Sequence, residues 1–108
     1  MVIMIKNMHN VKPVNLWDVK VDRSTRLGNP YQMGVGMSRE RACIEYEKYF
    51  YEKAIYNPSF KEKLDSLIII YKVHGQLSLF CWCAPLRCHA ETIKRYLEKE
   101  LKAQNIAL

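Results

Sequence analysis

Glycine and proline are scarce, four of each spread through 108 residues, and this excludes low-complexity and collagen-like chains. Long apolar runs are missing too. The two longest are Leu67 to Tyr71 and Leu77 to Leu86, the second interrupted by Ser78 and Pro85. Both fall well short of the ~20 residues a membrane-spanning helix needs, so no membrane partner is expected. The opening Met1 to Lys6 carries neither a basic stretch nor a small-residue cleavage site. It therefore reads as a first structural element, and the expected location is the cytoplasm. There thiols stay reduced, so the four cysteines do not read as a disulfide framework. No run of five or more like charges marks a nucleic-acid-binding arm.

What is present is an ordinary globular composition, 49% hydrophobic and 26% charged, enough for one core in a single domain spanning residues 1–108. Lysine and arginine number 17 against 11 acidic residues, a formal net charge of +6. Such a balance reads either as a solvated basic surface with no special partner or as favouring anionic partners, first a small ligand of nucleotide type. An acidic host protein is a second partner class, and nucleic acid a less favoured one because the charges are dispersed. A chain this short buries only about 65% of its unfolded surface, which leaves a homodimer open.

Residues Val2 to Ile5 form a short apolar run that predicts a buried strand. Trp17, Val19 and Val21 alternate with Asp18, Lys20 and Asp22, the period-two pattern of a half-buried strand. Leu-Gly-Asn-Pro at 27–30 marks a chain reversal. Ser38 caps a predicted helix to about Ile55, and Asn57-Pro58 ends it and opens another. Phe60, Leu64, Leu67, Ile68 and Tyr71 give that second helix its apolar stripe, and Gly75 ends it. Leu77 to Trp82 is apolar on both faces and predicts a central strand, with Trp82 read as core and stacking of its ring on a base or nicotinamide as the alternative. From about Cys88 to Ala103 runs an amphipathic helix, with Glu91/Arg95 and Glu98/Lys102 as outward pairs. The expected fold is a small α/β domain with a mainly parallel sheet of about three strands flanked by about three helices. In open α/β sheets ligands gather at the carboxyl ends of strands. Two loops leave strand ends there, Arg23 to Pro30 and Cys83 to His89.

The second of these is the densest chemical cluster. Cys81, Cys83, Cys88 and His89 stand within nine residues, with Arg87 among them. Three readings are open. Three thiolates and an imidazole are a set that zinc accepts, although the usual Cys-x2-Cys spacing is missing; a zinc-stabilised interaction module for a host protein or nucleic acid is the corresponding function. Cys88, at the start of the last helix where its free amides and dipole favour a thiolate, and beside Arg87 and His89, has the surroundings of an activated nucleophile. Or the cysteines only pack, Cys81 in the core and Cys83 and Cys88 along a pocket. Cys43, on the first helix, reads as core.

The first loop is either a structural turn with solvated arginines or a binding loop, offering forked donors on Arg23 and Arg26, hydroxyls on Ser24 and Thr25, and the amide of Asn29. Gly28 can take a positive φ and let a ligand approach the backbone. The glycine spacings of Walker and dinucleotide loops are absent.

Arg23-x3-Leu27-Gly28-Asn29-Pro30, the helix opened by Ser38, and Gly75-x-Leu77 leading into Cys-Trp-Cys-Ala-Pro-Leu-x-Cys-His-Ala at 81–90 together resemble a small domain of bacteriophages and bacteria, catalogued as a domain of unknown function. The resemblance covers about Trp17 to Leu101. It implies a compact stand-alone protein, often phage-encoded, whose two motifs form halves of one site, and it implies no activity. Asp22 departs from the pattern, which favours glycine there; its carboxylate can weaken anion binding or pair with Arg23 or Arg26.

The expected site therefore joins Arg23, Gly28, Asn29 and Pro30 to Cys83, Arg87, Cys88 and His89, without a bound cofactor in the preferred reading. Its ligand is expected to be a nucleotide or nucleotide-derived anion. A cysteine-dependent enzyme using Cys88 and a zinc site of Cys81, Cys83, Cys88 and His89 are the alternatives.

Overall fold

A computed structural model describes residues 3–31, 34, 36–82 and 88–104. Three strands, β1 (Ile3–Asn7), β2 (Asp18–Lys20) and β3 (Leu77–Cys81), form one all-parallel sheet in the order β1-β3-β2. Helices α1 (Arg39–Tyr56) and α2 (Pro58–His74) lie in sequence between β2 and β3, and α3 (Ala90–Ala103) closes the described chain.

Local chemistry sets the boundaries. The Ser38 hydroxyl accepts a hydrogen bond from the Arg41 amide, satisfying one of the unpaired donors of the first turn of α1. Asn57 ends α1 and caps α2, its side-chain oxygen accepting from the Phe60 amide at 3.1 Å, with Pro58 in the first helical position. Gly75 stops α2 with φ 72°, a left-handed conformation that a side chain would disfavour. At the start of α3 the Glu91 carboxylate accepts from the Cys88 amide at 3.1 Å, the returning half of a capping box. The helix begins at Ala90, two residues later than expected. Glu91 is thus engaged with the cap, and Arg95 reaches across to Glu47 of α1.

All of β3 is buried, as a central strand requires. Its Leu77, Leu79 and Cys81 face joins Ile3 of β1, Val19 and Val21 in a core closed by α1, α2 and α3 through Tyr46, Phe50, Leu64, Leu67, Ile93 and Leu97. Phe80, on the opposite face, lies under the Lys6 ammonium, 5.9 Å from its ring centre. The apolar run at the start predicted a buried strand; β1 is instead an edge strand, and Met4 on its outer face is 46% exposed. Trp82 departs further from expectation. Its place just beyond the end of β3 takes the indole out of the core, and it is 50% exposed. No helix among the described residues is long and apolar enough to cross a membrane.

Candidate functional site

The parallel ladder continues past β2 through the Val21 amide, which donates to the Phe80 carbonyl at 2.9 Å, and then the chain breaks away. Asp22 organises the loop beyond it. Its backbone oxygen accepts from both the amide and the hydroxyl of Thr25, while Oδ1 accepts from the Ser24 amide. Oδ2 accepts from the Trp82 indole at 3.0 Å. Burial would raise the Asp22 pKa, but the bonds from Ser24 and Trp82 outweigh it and hold the carboxyl below its ordinary value. The carboxylate for which weakened anion binding or a pair with Arg23 or Arg26 were the two readings instead ties the first loop to Trp82, just beyond β3.

Gly28 and Asn29 also act on the loop itself. A methyl group on Gly28 would lie 2.3 Å from the Asp22 carbonyl oxygen, so glycine is required where the loop folds back on its own backbone. This replaces the expected positive φ, which is found at Gly36 and Gly75. Asn29 accepts from the Tyr31 amide at 2.8 Å and donates to the Ala42 carbonyl of α1 at 3.3 Å, so its amide fixes the loop. Tyr46, buried on α1, donates its hydroxyl to the Leu27 carbonyl at 2.7 Å. Burial, with Tyr49 and Cys88 adding to it, keeps that hydroxyl protonated far above the usual tyrosine range. Arg26 bonds to Ser59 at the start of α2, and Arg23 donates to the Tyr31 carbonyl at 3.2 Å.

From the other side come Cys88 and His89, both buried. Cys88 Sγ is 3.5 Å from His89 Nδ1, and His89 Nε2 bonds to the Val21 carbonyl. A carbonyl only accepts, so Nε2 carries the proton and Nδ1 faces the thiol with its lone pair. Burial lowers the His89 pKa; the Val21 bond opposes this and the Arg23 charge adds to it. Tyr46 packs edge-on against the imidazole, ring centres 5.1 Å apart.

The Asp22–Tyr31 loop therefore meets Trp82, Cys88 and His89 at the carboxyl ends of β2 and β3. A pocket of about 270 Å³ between them is lined by Arg23, Asn29, Arg39, Trp82, Cys88 and His89 together with Asp22, Ser24, Tyr31, Ala42 and Cys43. Gly28 and Pro30 instead line a second depression, which shares Arg23 and Asn29 with the first. Cys83 and Arg87 lie outside the described residues. Of the alternative zinc set, Cys81 is fully buried in the core and Cys88 and His89 contact each other. Among the described residues no group of three or more His, Cys, Asp or Glu is placed to hold a metal ion.

Two contributors escape sequence reasoning and a third is misplaced by it. Arg39 carries no signal beyond its first-turn position, the apolar pattern puts Trp82 in the core, and His9 gains a partner only when the fold sets its ring 4.6 Å from the Trp82 indole. Cys43 is buried on α1, as expected, but also borders the pocket.

Residues 5–99 match a family described as a domain of unknown function, DUF4326. The chain belongs to that family. The DUF4326 match begins within β1, upstream of the segment the motifs suggested, and takes in both pocket-forming loops and most of α3. No curated protein and no solved structure matches the chain.

Proposed function

We propose that the pocket at the carboxyl ends of β2 and β3 binds a nucleotide or a nucleotide-derived anion. The observation that carries this reading is the pairing of two guanidinium groups, Arg23 and Arg39, with the half-exposed Trp82 indole around one cavity. Guanidinium groups hold phosphate oxygens through forked donors, and an indole face stacks on a base. The position matches where open parallel sheets gather their ligands. Trp82 is braced for such a role: Asp22 holds its N–H and His9 packs against its ring. Arg23 is oriented by the Tyr31 carbonyl, which lowers the ordering cost of binding.

Each lining group then has a distinct part. Arg23 and Arg39 receive the anionic group, Trp82 the aromatic ring, and Ser24 lies along the same wall. Asn29 and Gly28 shape the loop and do not read the ligand. The test is a thermal-shift titration with nucleoside mono-, di- and triphosphates and ADP-ribose. A shift is expected with at least one compound, and Arg23→Ala should abolish it without unfolding the protein. Absence of a shift across the panel refutes the reading.

A further inference from the structure

Binding alone leaves the thiol and imidazole of the pocket unused. Cys88 presents Sγ to the lone pair of His89 Nδ1 at 3.5 Å, and the Val21 carbonyl fixes the ring from its other nitrogen. A nucleophile, a base and a group that orients the base is the arrangement that activates thiols and hydroxyls for attack. Burial keeps the resting imidazole neutral, the form that can take a proton. Arg23 and Arg39 border the same cavity as the sulfur, and the Arg23 charge is felt at His89. An anion held by these arginines would share that cavity with Cys88. In a nucleotide that anion is phosphate, so phosphorus is the electrophile within reach.

We propose that Cys88 and His89 transfer a phosphoryl group from the bound nucleotide to Cys88 and then to water, an inference that rests on the nucleotide reading above. In the first step Cys88 gives its thiol proton to His89 Nδ1 and an S–P bond forms. The P–O bond to the leaving oxygen breaks, its electron pair departs with that oxygen, and His89 returns the proton to it. In the second step a water oxygen attacks phosphorus while Nδ1 takes one water proton. The S–P bond breaks, sulfur leaves with the electron pair, and His89 gives the proton back to it. Nothing is oxidised or reduced; a phosphate ester and water become an alcohol and inorganic phosphate, or a phosphoanhydride and water become a shorter phosphate and inorganic phosphate. Arg23 and Arg39 balance the charge on the phosphoryl oxygens throughout.

The test uses the full chain with AMP, ADP, ATP and p-nitrophenyl phosphate, monitoring release of inorganic phosphate and, by acid quench and mass spectrometry, phosphoryl-Cys88. Wild-type protein should release phosphate and carry the modification. Cys88→Ser should fall to background, and His89→Gln should lose about 100-fold in kcat. A second measurement needs no variant: iodoacetamide should alkylate Cys88 in the wild type, and the bound nucleotide should protect it. Phosphate release undiminished in Cys88→Ser, or a protein that shifts with a nucleotide yet releases no phosphate from any compound, overturns the transfer step and leaves binding intact. Absence of any shift removes the binding reading first and the transfer with it.

Discussion

Replacing Gly28 by alanine is expected to be among the most damaging small changes in the protein. The added methyl would meet the Asp22 carbonyl oxygen at 2.3 Å and the Arg23 Cα at 2.5 Å, where ordinary contact begins near 3.4 Å. Both neighbours are backbone, so the loop must open by about 1 Å, the shortfall between those contact distances. The struck oxygen accepts from the Thr25 amide at 3.0 Å and from the Thr25 hydroxyl at 2.9 Å. Losing those two bonds costs about 1 kcal/mol each, and overpacking adds roughly 1–3 kcal/mol. A total of about 3–5 kcal/mol is a large share of the 5–15 kcal/mol that typically holds a domain together. Urea unfolding monitored by circular dichroism reads this as a midpoint lowered by one to a few molar, given an m-value of about 1–3 kcal/mol/M. Gly34→Ala is the control: a methyl there meets nothing within 4 Å, and stability should stay within about 0.5 kcal/mol of wild type. A Gly28→Ala protein as stable as that control would refute the close-approach argument.

Other consequences are smaller and separable. Tyr46→Phe removes the hydroxyl that serves the buried Leu27 carbonyl and should cost about 1–3 kcal/mol by denaturant titration. Trp82→Ala should cost under about 1 kcal/mol in stability because the side chain is half exposed. It should nevertheless weaken nucleotide binding about 10- to 100-fold by calorimetry, the loss of about 1–3 kcal/mol of stacking. His89 has a folded-state pKa below its unfolded 6.5. As pH falls through that value the unfolded chain takes up a proton the folded chain refuses, so stability drops. The Tm should decline between about pH 7 and pH 5, and His89→Gln should flatten the decline. The contribution of Asp22 has the same sign in a lower window, being lost as pH falls below its unfolded 3.8 toward its lower folded value.

Elements set by local chemistry are legible in the chain. The caps at Ser38 and Asn57, the stop at Gly75 and the two-faced apolar run of β3 each state their structure within a few residues. The approach of Cys88 and His89 to the first loop is also legible, because a parallel sheet sends both strand ends to one side. What escapes depends on partners far away in sequence. The Trp82 indole is drawn to Asp22, 60 positions earlier, and the His89 ring to Val21, 68 positions earlier. An apolar pattern cannot distinguish the last buried residue of a strand from the first residue beyond it, hence the misplacement of Trp82. Glycine in a turn-like stretch suggests conformational freedom, whereas Gly28 is needed for the absence of a side chain.

The central claim is that one ligand is held between the Asp22–Tyr31 loop and the turn at Cys88 and His89. Amide chemical-shift mapping by NMR, with each nucleotide of the panel added in turn, tests it most directly. The account predicts that a binding nucleotide moves the amides of Arg23, Ser24 and Tyr31 together with those of Trp82, Cys88 and His89. Perturbations confined to only one of these loops, or to residues remote from both, would contradict it.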